Sequence, residues 1–337
     1  MRRPRPPSTA SDMSEAVVIG LSAVVVSIRG GEAVVLTVEP RGPADFPGLP
    51  FGPFDPAGRT FELALRAFVT EQTGFQLGYV EQLYTFGDRG RDAPLADVGA
   101  GRARVVSVGY LALTPRAVDT AAPDTGWSPW TRFFPWEDWR RGRPAVIDQR
   151  IAPGLTAWAR DGTRDEDEAG QRMARVRSLF ALDGAVWNEE RVLDRYELLY
   201  EARLVPEAAR DQALAEGRAL PVSDGSSDFG AAMTSDHRRI LATGLGRLRG
   251  KLKYRPVAFE LTPPEFTLST LQKTIEAISG LRLHKQNFRR GVERSGLVEP
   301  LGRFDQETGG RPAELHRFLR AKAAEAPALG LPLPTIR

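Results

Sequence analysis

Residues 267–297, TLSTLQKTIEAISGLRLHKQNFRRGVERSGL, decide the architecture of the C-terminal part of the chain. Thr267 is a favourable N-cap for a helix whose leucines and isoleucines recur at helical spacing, and Gly280 predicts the end of that helix. A compact turn at 281–284 leads into a second helix over 285–297. Two short helices joined by such a turn predict a helix-turn-helix.

The second of these helices carries side chains that are suited to nucleic acid. Phe288 and Val292 lie four residues apart and are predicted to point inward, so the polar residues of the N-terminal half face outward. Gln and Asn can pair with adenine, and Arg and Lys with guanine or phosphate, when such a helix enters the major groove. The predicted DNA-contacting residues are Thr267, Lys285, Gln286, Asn287, Arg289 and Arg290.

A wing is predicted after the second helix. Strand-like runs at 297–301 and 313–318 flank Gly309-Gly310-Arg311-Pro312, which is a tight-turn sequence. The side chain of Arg311 would reach the minor groove or a phosphate there. The alternative is a winged helix that contacts protein, because many such folds do not bind DNA.

Charge is divided unequally along the chain. From Asp236 to Lys322 there are 18 Lys and Arg against 9 Asp and Glu, whereas the remainder has 28 against 34, although the net charge is only +3. A basic module attached to an acidic body indicates that one of the two meets polyanions.

Length and composition limit the class of protein. With 337 residues, of which 42% are hydrophobic, the chain can form two domains with ordinary cores. The absence of cysteine excludes disulfides, thiolate zinc sites and iron–sulfur clusters, and three histidines leave little for a metal cage. No apolar run reaches the roughly 18 residues needed to span a bilayer, which indicates a cytoplasmic protein without a membrane partner.

The part before the basic module predicts a mixed α/β domain. Two β-branched runs, 16–28 and 33–38, surround a Gly-Gly turn and predict a hairpin. Further predicted elements are a helix from Phe61 that ends at Gly74, strands over 80–86 and 103–114, helices over 171–183 and 188–202, and a strand-like run over 256–261. The predicted organisation is a tail over 1–15, the α/β domain over 16–235, an amphipathic connecting helix over 236–255, the winged helix over 256–320 and a tail over 321–337.

The middle of the chain contains GWSPWTRFFPWEDWR, residues 126–140, with six aromatic side chains. Either these aromatics cap the core, or a ring such as that of Trp127 or Trp130 stacks on a base or lines a ligand pocket. Residues 161–170 are predicted to be an exposed acidic connection, and residues 217–230 a polar linker.

The segment GPFDPAGRTFELALRAFVTEQTGF, residues 52–75, resembles the Nudix box, in which a cluster of glutamates holds magnesium. When Gly74 is aligned with the closing glycine of that box, Glu71 takes the first of its paired glutamates and Gln72 the second. Phe68 stands where the preceding glutamate belongs. Since Mg²⁺ requires several oxygen ligands, one carboxylate cannot hold the catalytic ion, and the chain is predicted to have no catalytic residues and no metal site. Candidate ligand-binding residues around the eroded box are Arg41, Arg59, Glu71, Arg89, Trp127 and Trp130.

Four C-terminal segments carry a more definite resemblance: LRGKLKYRPVAFEL (248–261), PPEFTLSTLQ (263–272), LHKQNFRR (283–290) and GGRPAELHRF (309–318). They are similar to the Nudix-related transcriptional regulators of NAD metabolism, including the branch that controls de novo NAD synthesis. The resemblance implies a Nudix-like α/β/α sandwich with a mixed sheet, followed by a winged helix-turn-helix. It further implies a homodimer that represses NAD-biosynthesis genes, binds operator DNA and responds to an adenine nucleotide, namely NAD(H), ADP-ribose or ATP.

The favoured mechanism is that a nucleotide in the N-terminal pocket changes the spacing of two winged helices across the dimer, with the helix at 236–252 as the lever. Two other functions stay open from the sequence. One is an active nucleotide pyrophosphatase whose winged helix binds protein, and the other is a structural adaptor with neither activity.

Overall fold

The computed structural model describes residues 17–39, 46–54, 57, 60–74, 76–88, 91, 104–119, 122–161, 165–218, 228–305 and 312–325. The predicted tail at 1–15 lies outside these residues. No helix in the described ranges combines the length and the apolar character that a bilayer-spanning helix requires.

A six-stranded mixed sheet forms the centre of the N-terminal part. Strand β1 (Val17–Arg29) turns through Gly30 and Gly31, both with positive φ, into the antiparallel strand β2 (Glu32–Val38), which confirms the predicted hairpin. The strand order is β4-β5-β1-β2-β6, with β3 beside β1 and with β5 parallel to β1. The remaining strands are β3 (Phe51–Pro53), β4 (Tyr79–Phe86), β5 (Arg104–Leu113) and β6 (Thr125–Pro129).

One face of this sheet is covered by helix α1 (Phe61–Thr73). The hydroxyl of Thr60 accepts a hydrogen bond from the Leu63 amide at 3.2 Å, and Gly74 ends the helix in the left-handed conformation, as predicted. The buried side chains of α1 pack against alternate residues of β1, β2 and β5.

The described residues of the middle of the chain contain four α-helices. They are α2 (Ala152–Arg160), which follows a π-turn at Ile147–Ile151, and then α3 (Glu166–Phe180), α4 (Val192–Glu201) and α5 (Pro206–Ala215). Helices α3 and α4 confirm the two predicted helices, whereas the sequence did not predict α2 and α5.

The predicted acidic connection at 161–170 is wrong from residue 166 onward, where α3 has begun. The carboxylate of Asp165 accepts a hydrogen bond from the Asp167 amide at 2.9 Å and so caps the helix. Three further acidic residues occupy the first turn, where the helix dipole favours negative charge. The charge run therefore starts a helix.

The other face of the sheet is covered by helix α6 (His237–Tyr254). The helix lies so close that a side chain at Gly244 would place its Cβ 3.0 Å from Val24 of β1. Its predicted apolar positions are buried, but Arg238 and Arg249 are fully buried too. The predicted amphipathic connecting helix is therefore a helix of the core.

The C-terminal part contains the predicted helix-turn-helix, formed by α7 (Leu268–Ser279) and α8 (Lys285–Ser295). The wing strands are β8 (Val298–Asp305) and β9 (Ala313–Phe318), and a third strand, β7 (Glu265–Thr267), pairs with β9. Helix α9 (Arg320–Glu325) follows β9. The turn of the wing lies outside the described residues.

The strand predicted at 256–261 is wrong, because residues Val257–Leu261 form a 3₁₀ turn. The Phe259 amide donates to the Pro256 carbonyl at 3.1 Å, and the Thr262 hydroxyl donates to the Ala258 carbonyl at 2.7 Å. Local hydrogen bonds thus pair backbone groups of this apolar segment without a partner strand.

One hydrophobic cluster runs through both parts of the chain. It contains Val24 of β1, Trp136 of the aromatic-rich segment, Leu248 of α6 and Ile275 of α7. The winged helix therefore packs on the rest of the protein, and the domain boundaries at 235 and 255 stay predictions.

Replacement of Leu245 by alanine is expected to lower the free energy of unfolding by about 2–5 kcal/mol, because the side chain is fully buried between α6 and the sheet. The matched control is Arg247→Ala on the same helix, an exposed site where a change within about 0.5 kcal/mol is expected. Urea unfolding followed by circular dichroism measures both. Equal midpoints for the two variants would contradict the core position of α6.

Candidate functional site

Helix α8 presents a polar surface to solvent. Phe288 and Val292 are buried against α7 and the wing, as predicted, and Gly291 lies between them. The intervening positions face outward for this reason. The exposed predicted residues are Lys285, Gln286, Asn287, Arg289 and Arg290.

The cations of α8 differ from those of the wing in their ionic partners. On β9, Arg317 is paired with Glu299, and on β8, Arg303 is paired with Glu265 at 2.5 Å. Within the described ranges, no ion pair involves Lys285, Arg289 or Arg290 of α8. Three cations without an ionic partner among the described residues therefore lie on the exposed face of this helix.

The turn between α7 and α8 is fixed by side chains of α7. Glu276 accepts a hydrogen bond from the Leu283 amide at 2.9 Å, and Gln272 donates to the Leu283 carbonyl at 3.1 Å. Leu281 and Leu283 are buried, so Arg282 between them is exposed. Arg282 is not among the predicted DNA-contacting residues, although the alternation of Leu, Arg and Leu predicts its outward direction.

Thr267 does not lie on this surface. Its side chain is only 4% exposed, and its hydroxyl accepts a hydrogen bond from the Thr270 amide at 3.1 Å, which caps α7. The hydroxyl thus serves the helix, and the set of proposed DNA contacts excludes Thr267. Arg311 lies outside the described residues.

The predicted ligand-binding residues fall in several places. Arg41, Arg59 and Arg89 lie outside the described residues. Glu71 is exposed on α1, and Trp127 packs at the edge of the same sheet face, where its indole N–H donates to the Val118 carbonyl at 2.8 Å.

Trp130 belongs to the opposite face of the sheet. Its side chain is only 2% exposed, and its ring centroid lies 4.6 Å from the guanidinium carbon of Arg249. An indole that is enclosed in this way cannot stack on a ligand. The prediction that Trp130 lines the pocket is therefore corrected, and the ring belongs to the core.

Gln72, which replaces a glutamate of the box, stabilises the fold. Its amide nitrogen donates to the Phe51 carbonyl at 2.7 Å, which ties α1 to β3, and its amide oxygen is buried. An ionised glutamate has no N–H and could not make this bond. Phe68, at another glutamate position, packs against Gly52. No cluster of three His, Asp or Glu able to hold a metal ion is present among the described residues.

A cleft of about 470 Å³ opens at the turn between β1 and β2. Arg140 is held there by both oxygens of Asp138 and by the Gly31 carbonyl, to which it donates at 2.9 Å. The cleft includes none of the predicted ligand-binding residues.

A polar cluster surrounds the N-terminus of α6. Arg239 pairs with Glu197 at 2.6 Å and with Asp236 at 3.2 Å, and Arg91 pairs with Glu197 at 2.9 Å. Burial raises the pKa of the Asp236 carboxyl to about 6, although the two arginines act in the opposite direction. Burial also lowers the pKa of His237 to about 3, and its Nδ1 accepts a hydrogen bond from the Leu49 amide.

Comparisons with known proteins agree with this arrangement. Residues 258–318 match the family described as the NrtR DNA-binding winged helix domain. These residues form a winged helix of the NrtR type. The match confirms the resemblance to Nudix-related regulators of NAD metabolism over the C-terminal part of the chain.

A curated relative, the ADPR responsive transcriptional repressor NtrR of Acinetobacter baylyi, is 41% identical over 83 residues. The match covers 25% of this chain and 33% of that protein. The identity is thus high over a segment similar in length to the winged helix, and the match spans only a third of the relative.

Solved structures extend the likeness to the whole fold. Shewanella oneidensis NrtR in complex with a 27mer DNA aligns with a TM-score of 0.54 at 19% identity, over 95% of this chain and 99% of that one. A MutT/nudix family protein from Enterococcus faecalis aligns with a TM-score of 0.50 at 14% identity, over 95% and 90% of the two chains. At these identities the likeness shows the fold, which is a Nudix-like mixed-sheet domain followed by the NrtR-type winged helix.

The two titrations at the start of α6 predict opposite effects of pH on stability. The folded-state pKa of Asp236 is raised, so its contribution to stability falls as pH rises from about 4 to about 6. The folded-state pKa of His237 is lowered, so its contribution to stability rises as pH rises from about 3 to about 6.5. Asp236→Asn removes the first effect. Its stability relative to the parent is therefore expected to increase between pH 4 and 6, by up to about 3 kcal/mol, and to stay constant above pH 6.5.

Denaturant unfolding at several pH values measures this difference. The control is Leu63→Ala, which changes an exposed side chain without a titratable group, and its difference from the parent should not vary over the same range. A difference for Asp236→Asn that is flat from pH 4 to 6 would contradict the raised pKa.

Proposed function

We propose that the protein is a transcriptional repressor that binds operator DNA through its NrtR-type winged helix. The observation that carries the proposal is the set of exposed cations on α8 that have no ionic partner among the described residues. They lie on the helix that reads the major groove in helix-turn-helix proteins. Asn287 and Gln286 would contact base edges, and Lys285, Arg289 and Arg290 would contact guanine or phosphate. Arg282 would add a phosphate contact from the turn.

The genes under its control are proposed to be those of NAD biosynthesis. The support is the resemblance of the C-terminal segments to regulators of NAD metabolism and the 41% identity to a repressor of Acinetobacter baylyi that is named for its response to ADPR. That name favours ADP-ribose as effector over NAD(H) and ATP. The effector would bind beside the sheet face that α1 covers, with Glu71 and Trp127 as candidate contacts.

The Nudix-like domain is proposed to bind its ligand without cleaving it. Diphosphate hydrolysis by magnesium requires a set of carboxylates, and Phe68 and Gln72 replace two of them with a core contact and a hydrogen-bond donor to β3. The alternative of an active pyrophosphatase gains no observation from the structure.

A homodimer is proposed as the DNA-binding form. Two copies of a winged helix related by a two-fold axis read symmetric half-sites whose centres lie about one helical turn of DNA apart. A ligand that binds the DNA-competent and incompetent states with different affinity shifts the equilibrium between them, and a difference of about 1–3 kcal/mol changes DNA affinity by roughly 5- to 150-fold.

DNA binding is tested by fluorescence anisotropy with fragments from the protein's own upstream region and from NAD-synthesis promoters. The parent is expected to bind one of them, and Arg290→Ala to bind it more weakly, with a salt dependence shallower by about one logarithmic unit per lost phosphate contact. The matched control is Arg175→Ala on α3. This arginine is paired with Glu201 of α4 and does not belong to the winged helix, so its loss should not change DNA affinity. Equal losses in both variants, or an unchanged salt slope, would count against the reading role of α8.

Ligand binding and catalysis are tested together with ADP-ribose, NAD, NADH and ATP. Calorimetry is expected to show binding of ADP-ribose, and chromatography with Mg²⁺ present is expected to show no release of AMP above background. An active Nudix hydrolase serves as the positive control. Steady magnesium-dependent turnover would reject the non-catalytic assignment in favour of the pyrophosphatase.

A further inference from the structure

A buried carboxylate, Glu137, lies between two buried guanidinium groups. Arg195 of α4 donates to both carboxylate oxygens, at 2.6 and 2.9 Å, and Arg249 of α6 donates to one of them. Burial alone would raise the pKa of Glu137, but the two cations outweigh burial and hold the pKa below its ordinary value. These three side chains, which we call the Glu137 cluster, therefore contain one negative and two positive charges.

The excess positive charge of the Glu137 cluster is met by carbonyl oxygens. Arg249 donates through Nε to the Ile278 carbonyl at 2.9 Å and through Nη1 to the Glu189 carbonyl at 2.9 Å. Ile278 belongs to the last turn of α7, where carbonyls lack partners within the helix and carry the negative end of its dipole. The first helix of the helix-turn-helix thus supplies an acceptor that the buried charge requires.

Backbone contact reinforces this junction. The Trp139 amide donates to the Gly280 carbonyl at 2.7 Å. Gly280 has φ of 70°, and a Cβ at this position would lie 2.3 Å from the Glu137 carbonyl oxygen. Glycine is therefore required here by its conformation and by the close approach of the two segments.

The position of α7 determines that of α8. The turn between them is held by Glu276 and Gln272 through Leu283, and Phe288 of α8 is buried in the same hydrophobic cluster as α7. A displacement of the C-terminal end of α7 would therefore carry the recognition helix with it.

We propose that Glu137 and Arg249 are positioning residues that fix the direction of the recognition helix relative to the Nudix-like sheet. The proposal rests on the DNA-binding function given above and goes beyond it. It states that the winged helix is a rigid part of each protomer. An effector would then change the spacing of the two recognition helices by moving whole protomers, and not by freeing the winged helix to move within its own protomer. No residue of the cluster is assigned a contact with DNA or ligand.

The absence of cysteine from the chain permits a direct test. Spin labels are attached at Leu63→Cys on α1 and Glu293→Cys on α8, both exposed positions, and the chain is mixed with an excess of unlabelled protein. Double electron–electron resonance then gives the distance between the labels within one protomer. The parent is expected to give one narrow distribution, with and without ADP-ribose, and a broad one would overturn the proposal.

Three variants perturb the junction in different ways. Glu137→Gln removes the carboxylate charge, Arg249→Lys keeps the cation but loses the fork of donors, and Gly280→Ala separates the two backbones without changing charge. Each one that folds, as judged by circular dichroism, is expected to shift or broaden the distribution. The control is Glu201→Gln, which breaks the exposed pair with Arg175 and should leave the distribution unchanged. Folded variants with the parent's distribution would overturn the proposal.

DNA binding gives a second readout. On the fragment that the parent binds, the variants are expected to lose affinity towards that for a single half-site, a loss of up to about 10²- to 10⁴-fold, while binding to one half-site is retained. Equal loss on one and two half-sites would contradict a positioning role. The resonance measurement requires no DNA. A parent that binds no fragment would therefore reject the proposed function, while the distances between the spin labels would still test the positioning of α8.

Discussion

The structure depends on the burial of one carboxylate, that of Glu137, beside two guanidinium groups. Removing a charged pair from water costs several kcal/mol per ion, and the cost is offset only when geometry is good and every remaining donor finds an acceptor. Here the backbone carbonyls that accept these hydrogen bonds come from four separate segments. They are the aromatic-rich segment, the end of α3, the loop before α4 and the end of α7. Loss of any one of them would leave a buried cation incompletely paired. The helical layer, the sheet and the winged helix are therefore stabilised jointly.

Strand β1 contributes to two hydrophobic clusters of the described residues. Its alternate residues divide between the two cores, with Val24 on the side of α6 and the winged helix and Val25 on the side of α1. Because successive side chains of a strand point to opposite faces, a shift of β1 acts on both cores at once. Gly244 of α6 touches Val24 with no side chain between them, so α6 follows the strand closely. The core beneath α1 and the core shared with the winged helix thus have strand β1 in common.

Periodicity predicted the elements whose burial depends on neighbours in sequence. The hairpin, α1 with its cap Gly74, α7 and α8 were predictable because turn glycines, N-caps and helical spacing are local signals. Arg249 could not be predicted as buried, since its partner Glu137 lies 112 residues away and every local cue marks an arginine in a basic helix as exposed. The same reason explains Trp130, whose ring is enclosed by that arginine. The strand predicted at 256–261 was wrong for another reason, because apolar strands and apolar 3₁₀ turns have similar compositions.

The erosion of the Nudix-like box has a consequence for the kind of ligand that the domain can hold. A cleft lined by several glutamates repels a diphosphate unless divalent cations stand between the two, so binding and metal loading are coupled. Replacement of two such positions by Phe68 and Gln72 removes that repulsion, and the Gln72 amide uses its donor to tie α1 to β3 instead. A metabolite with a diphosphate would then need no magnesium to offset repulsion at these two positions. In the proposed repressor, binding without reaction would leave the ligand in place while the winged helix contacts DNA.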